Sequence, residues 1–188
     1  TRRSSDLAAV DDKETAAPLP VDLLRLQRWV IKKYKLTAQK VQDITQTLKD
    51  THKAITYNRS DCSYLSDEQF NSAPATLAAL KGILNPNFDI DATRKSKAFD
   101  NSKVTAHTAI IPTNNVPDLN RLSNDERNVY MEIVNLYAAQ FMPRKTYKEA
   151  SIAIKSGDES FVIRAKKTTN NGFEALIGSD GEDDFDED

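Results

Sequence analysis

Apolar positions along this chain recur first at helical and later at alternating spacing. Leu23, Leu26, Val30 and Tyr34 fall at i, i+3, i+7 and i+11, one face of a helix that opens just after Pro-Leu-Pro at 18–20. Arg25, Arg28, Lys32 and Lys35 lie mostly off that face. A second helix follows, with Thr37 as its N-cap and Ala38, Val41, Thr45 and Leu48 on one stripe. The apolar "AIT" at 54–56 then reads as a short strand. Helix, turn, helix and strand in that order suit a winged-helix-like module.

Ser66 with Gln69 is a capping-box pattern, so a third helix should start just after "SYL". Pro74 is expected to break or restart it, leaving "PATLAALKGIL" as a second helical piece. From Asn85 to Lys103 the pattern is irregular and holds the basic run "RKSK". "AHTAIIPT" ends in a proline that stops any strand there. Ser123 with Glu126 forms a second capping box, and Tyr130, Ile133, Val134, Tyr137 and Phe141 make an amphipathic helix closed by Pro143.

Beyond Pro143 the period changes to two. "ASIAIK" and "SFVIRAKK", parted by "SGDE", predict a hairpin, and "GFEALI" is expected to add a third strand. The fold expected is α+β: a mainly helical winged-helix-like (CAP-like) domain inserted into a discontinuous, truncated β-rich domain. Residues 1–19 would lead in from the β-rich part, 20–146 would form the helical domain, and 147–178 would return to the strands. The final acidic stretch, 179–188, reads as a disordered tail.

Charge divides the chain in the same places. The net charge of −2 over 188 residues conceals a middle, from Pro20 to Tyr147, with 18 basic against 13 acidic residues. From Lys148 onward the balance is 5 against 11. A basic middle permits a polyanionic partner without demanding one. Cys62 is the single cysteine, which excludes an intrachain disulfide and a cysteine-based zinc site; His52 and His107 alone give a structural metal little to bind. No apolar run approaches the ~20 residues needed to span a membrane, and the N-terminal residues lack the apolar core of a signal peptide. The chain reads as soluble and intracellular. It starts without a methionine, and the expectation is an excised fragment.

Candidate chemistry centres on "AITYNRSDCSYL", 54–65. A tyrosine hydroxyl, with a pKa near ~10, is a weak nucleophile at neutral pH. A neighbouring cation stabilises both its phenolate and the charge that builds on a phosphoryl oxygen. Arg59 suits both tasks, because a guanidinium matches two phosphate oxygens. In an extended segment Tyr57, Arg59 and Asp61 share one side. Taken alone, Tyr-X-Arg is also an ordinary strand end, and the triplet by itself does not decide.

The wider context does. "PLPVDLLRLQ", "KVQDITQTLKDTHKAITYNRSDCSYL", "KVTAHTAIIPT" and "LSNDERNVYMEIVNLYAAQFMP" resemble, in order and spacing, the active-site region of type IA DNA topoisomerases, most closely the bacterial topoisomerase III branch. The resemblance runs from about Ala17 to Pro143, with weaker likeness through "GFEALI". It implies that Tyr57 attacks a DNA backbone phosphate and becomes joined to its 5′ side, so that one strand is cut and resealed without ATP. Arg59 would hold the scissile phosphate. His107 corresponds to a family histidine near the cleavage site and would donate to a phosphate. Asp61 would orient Arg59 or cap local backbone, and Gln46 would support the DNA or the strand. Tyr64 and Leu65 are assigned to packing. Asn58 stands where the family usually has proline, Cys62 where serine is common, and Thr108 where a second histidine is frequent.

The resemblance also implies partners: single-stranded DNA and the remaining domains of a larger enzyme, in the bacterial cytoplasm and associated with the nucleoid. The Mg²⁺ site and catalytic glutamate of the family match nothing in this chain, so Mg²⁺ is expected to be bound outside it and the chain to be inactive alone. The alternative from a different class is a winged-helix module that docks DNA without chemistry.

Overall fold

The computed structural model describes residues 7–156 and 159–178. Within them a helical body and a three-stranded antiparallel sheet are joined at Pro143–Arg144 and Gly172–Phe173.

The body is built on four helices: α1 (Leu23–Tyr34), α2 (Ala38–Asp50), α3 (Asp67–Leu80) and α4 (Asn124–Ala138). Each starts on a side-chain cap that satisfies one of the unpaired first-turn N–H groups. Asp22 accepts from Arg25 N and Thr37 from Lys40 N, while Ser66/Gln69 and Ser123/Glu126 form the two complete capping boxes that the sequence predicts. Helices α1, α2 and α4 pack against one another, burying Leu26, Trp29 and Val30 on α1 and Val41, Ile44, Thr45 and Leu48 on α2. Ala38 is exposed, so Ile44 rather than Ala38 completes the α2 stripe. The predicted α4 face is buried in full: Tyr130, Ile133, Val134, Tyr137 and, in the 3-10 turn that follows (Ala139–Phe141), Phe141.

One charge lies inside this packing. Glu132 of α4, 2% exposed, accepts hydrogen bonds from Trp29 Nε1 at 2.7 Å, Lys33 Nζ at 2.7 Å and Tyr34 Oη. Three donors converging from α1 compensate the desolvated carboxylate. Burial, and then the bond to Glu132, raises the Tyr34 phenol well above its ordinary value.

Three expectations are corrected here. Pro74 does not divide α3; the helix runs unbroken from Asp67 to Leu80. Pro74 lies on the solvent side, where water can take the place of the missing intrahelical hydrogen bond. The "AIT" strand is absent: residues 54–56 form no ladder, and a single antiparallel bridge joins Ile55 to Pro112. A wing in the strict sense is therefore not seen among the described residues. "GFEALI" is a short helix, α5 (Glu174–Ile177), because Phe173 and Ile177 at i, i+4 spacing both turn into the core beside α4.

The third strand comes from the other end of the chain. β1 (Leu7–Thr15) pairs antiparallel with β2 (Lys145–Ser156), which pairs with β3 (Glu159–Asn170) in the predicted hairpin. Segments flanking the helical body thus share one sheet. Val10, Ile152, Phe161 and Ile163 remain exposed on it. Gly172 makes the junction possible: its φ is +50°, and a Cβ there would lie 2.4 Å from the Arg144 carbonyl oxygen. Lys145 and Glu174, both largely buried, pair across the same junction at 2.8 Å. The predicted acidic tail, 179–188, lies outside the described residues.

Candidate active site

Tyr57 sits on the loop that leaves α2, and a second segment, 109–113, holds that loop from behind. Thr56 N donates to Ile111 O at 2.9 Å, Thr113 N to Ala54 O at 2.9 Å, and Thr113 Oγ1 to Lys53 O at 2.6 Å. Thr56 Oγ1 both donates to Ala109 O and accepts from Ile111 N. On its other flank, Ser60 O accepts from Leu23 N, the first residue of α1. Three elements therefore fix the backbone around a phenol that is itself 40% exposed.

The loop turns at Asn58–Arg59 and is not a strand. Exposure nevertheless alternates along it: Tyr57, Arg59 and Asp61 face solvent, whereas Asn58, Ser60 and Cys62 are buried. The predicted side-sharing survives because the inward residues are each anchored. Asn58 Nδ2 donates to Gln46 Oε1 at 3.3 Å and reaches Thr45 Oγ1 at 3.4 Å, both on α2. Cys62 N donates to Ser60 Oγ at 3.1 Å. Asn58 thus supplies through hydrogen bonds a restraint on the loop that proline would supply through its ring.

His107 stacks on Tyr57, with ring centroids 4.2 Å apart and planes inclined by 30°. It is carried by the 104–108 loop, and its neighbour Thr108 accepts a hydrogen bond from Gln69 Nε2 at 2.9 Å. Gln69 also closes the α3 capping box through its oxygen, so one side chain ties the start of α3 to the histidine loop.

Two further groups meet here that sequence reasoning missed. Lys49 Nζ lies 6.0 Å from the Tyr57 ring centroid, the outer reach of a cation–π contact, and pairs with Asp50 at 2.7 Å. Asp50 in turn accepts from Gln46 Nε2. Lys49, Asp50, Gln46 and Asn58 therefore form one connected network from the ring of Tyr57 to the buried side of its loop. Lys49 and then Gln46 hold the Asp50 carboxyl below its ordinary value. Nothing in the sequence links Lys49 to Tyr57; only the end of α2 brings them together.

Of the predicted residues, the structure brings Tyr57 and His107 into ring contact and places Gln46 behind the loop. Arg59 is exposed and has no hydrogen bond or ion pair among the described residues. Asp61 neither pairs with Arg59 nor caps backbone; it lines a cavity with Tyr64, Lys103 and Thr105. Leu65 is fully buried, as the packing assignment requires, whereas Tyr64 is half-buried. Among the described residues no group of three His, Cys, Asp or Glu side chains converges as metal ligands, and no helix is long and apolar enough to cross a membrane.

Comparison with known proteins places these features in a family context. The sequence matches the family profile described as DNA topoisomerase over residues 6–187. It is 38% identical over 176 residues to DNA topoisomerase 3 of Vibrio cholerae, covering 92% of this chain and 27% of that protein. It is 36% identical over 173 residues to DNA topoisomerase 3 of Salmonella typhimurium, covering 90% of this chain and 26% of that protein. The chain thus spans about a quarter of the length of the curated relatives it matches. Its fold is similar to that of full-length topoisomerase I from Thermotoga maritima, with a TM-score of 0.64 and 21% identity over 92% of this chain and 29% of that one.

Proposed function

This chain belongs to the DNA topoisomerase family, and we propose that it carries the nucleophile of a type IA topoisomerase, Tyr57, which cuts and reseals one DNA strand. The observation that carries this reading is the exposed phenol stacked on His107, two residues before an exposed Arg59 that has no ion pair among the described residues.

The step is a transesterification. Tyr57 Oη attacks phosphorus, an O–P bond forms and the P–O3′ bond breaks. The phenol proton is given up, the 3′ oxygen gains one, and the 5′ phosphate stays on the tyrosine. The energy of the broken bond is kept in the phosphotyrosine, so attack by the 3′ hydroxyl reverses the reaction without ATP. Arg59 offers two N–H groups to the phosphate oxygens and His107 a third donor, each worth most where negative charge builds up. Lys49, paired with Asp50, packs its ammonium at the edge of the Tyr57 ring and helps to fix the ring's position. Gln46 and Asn58 hold the geometry of the loop that carries Tyr57.

We read the α1–α2 pair with its bridged segments as a winged-helix-like scaffold, and the sheet as part of a β-rich domain into which the helical body is inserted. Single-stranded DNA as the substrate is part of the proposal and follows from the family resemblance. Mg²⁺, which the family resemblance implies, does not fit the described residues, which offer it no carboxylate cluster; no step above runs through it. Its binding outside this chain, with a catalytic partner domain there, is part of the proposal, as is a cytoplasmic, nucleoid-associated setting in a bacterium. The test mixes the chain with end-labelled single-stranded DNA, a relative's metal-binding domain and Mg²⁺. A covalent band on a denaturing gel that disappears in Tyr57→Phe supports the reading; DNA binding with no such band refutes it.

A further inference from the structure

A cavity of about 480 Å³ opens between the first turns of α1, residues 61–64 and residues 103–105. That size falls within the range of small-molecule sites, about 300–1,000 Å³. Two of its lining residues connect it to the Tyr57 centre: Asp61 lies four residues beyond Tyr57 on the same loop, and Thr105 Oγ1 donates to the His107 carbonyl at 3.3 Å. Two cations line it without an ion pair among the described residues. Arg28 is exposed, and Lys103 donates to Tyr64 Oη at 3.3 Å with its ammonium 4.9 Å from that ring's centroid. Of the two acids present, Asp22 is already engaged, accepting from Arg25 N and from Ser63 Oγ at 2.8 Å each. Asp61 is exposed and accepts no hydrogen bond among the described residues.

We infer that this cavity holds the nucleotide next to the phosphate that Tyr57 attacks, with its own phosphate on Arg28 and Lys103 and an amino-bearing base donating to Asp61. The inference rests on the reading of Tyr57 given above. A guanidinium and an ammonium together suit a phosphodiester. A free carboxylate in the same cavity repels the phosphate toward those cations and accepts from the exocyclic amine of cytosine, adenine or guanine. Thymine has no such amine. Asp61 therefore makes the site selective as well as anionic-ligand binding.

The test measures binding of fluorescently labelled six-nucleotide oligodeoxycytidylate and oligothymidylate to the whole chain by anisotropy, as a function of salt. One phosphate contact on a single strand contributes a slope of about 0.7 in log affinity against log salt. Arg28→Gln and Lys103→Gln, both at exposed positions, should each weaken binding, and in the double variant, which releases the phosphate the two cations share, the affinity lost between about 50 and about 200 mM salt should be about 2.6-fold smaller. Arg121→Gln, outside the cavity, should leave the slope unchanged. Wild type should prefer the cytidylate, and Asp61→Ala should abolish that preference. Unchanged affinity and slope in both cation variants overturn the inference, as does equal binding of the two oligonucleotides by wild type. Failure of the Tyr57 reading is separable: the adduct would be missing while these binding effects persisted.

Discussion

The rings of Tyr57 and His107 stack with centroids 4.2 Å apart, although they come from separate loops. Each loop is anchored independently, the first to Gln46 by Asn58 and the second to Gln69 by Thr108. The contact is therefore preorganised rather than a chance meeting of mobile side chains. Truncation of His107 to alanine is expected to slow adduct formation by roughly 10²-fold, the usual cost of losing one positioned donor at a developing charge. Because His107 is exposed, its unfolding free energy should change by less than about 0.5 kcal/mol. Single-turnover cleavage of labelled DNA and urea unfolding check the two halves.

Asn58→Ala removes both hydrogen bonds from the nucleophile loop to α2 and leaves the Gln46 oxygen without its donor. The expected loss is about 1–2 kcal/mol of stability, accompanied by slower adduct formation because Tyr57 is held less firmly. A variant that loses stability yet keeps the full adduct rate would separate the loop anchor from the chemistry.

Glu132→Ala should destabilise more, by about 2–4 kcal/mol, since it removes the shared acceptor of the buried Trp29 Nε1 and the half-buried Tyr34 Oη, while the exposed Lys33 ammonium stays hydrated. Equilibrium denaturation measures this. An effect below about 1 kcal/mol would contradict the placement of Glu132 as the shared acceptor.

Tyr130 and Tyr137 couple stability to alkaline pH. Burial raises both phenols, Tyr137 to about 12. Their folded pKa values exceed the unfolded value near ~10, so their contribution is complete below about pH 10 and is lost as pH rises toward the folded values. Each removes about 1.4 kcal/mol per pH unit in that window. Tyr130 Oη is also buried without a hydrogen-bond partner among the described residues. Tyr130→Phe should therefore be neutral or stabilising by about 1 kcal/mol at pH 7 and should flatten the alkaline loss. Denaturation midpoints from pH 7 to 12 test both.

Gly172→Ala should unfold the junction between sheet and helices more readily. A Cβ would meet the Arg144 carbonyl at 2.4 Å on a backbone with φ +50°, so a loss of roughly 1–3 kcal/mol is expected, read as lower thermal stability.

The sequence reveals elements whose causes are local. Apolar faces reveal α1, α2 and α4, and caps reveal the starts of α2, α3 and α4, although Pro74 argues for a break in α3 that does not occur; α4 is buried as its periodicity requires. The hairpin of β2 and β3 is visible in its alternation and turn. β1 is not, because "LAAVDDKET" has little alternation of its own and becomes a strand only by pairing with β2 far along the chain. α5 is hidden for a similar reason: its apolar residues suit a strand until α4 offers a surface for a helical turn. At the site, Tyr57, Arg59 and His107 follow from motif resemblance. The roles of Lys49, Asn58 and Gln69 depend on contacts between helices and loops, which no spacing in the chain encodes.

The central claim is that Tyr57 becomes joined to a 5′ phosphate. The direct measurement is to trap the adduct in the complemented reaction, digest protein and DNA, and locate the remaining nucleotide by tandem mass spectrometry. The account expects a nucleotide linked through its 5′ phosphate to the peptide containing Tyr57, and no such peptide from Tyr57→Phe. A nucleotide on any other residue, or a 3′-phosphate linkage, would contradict it.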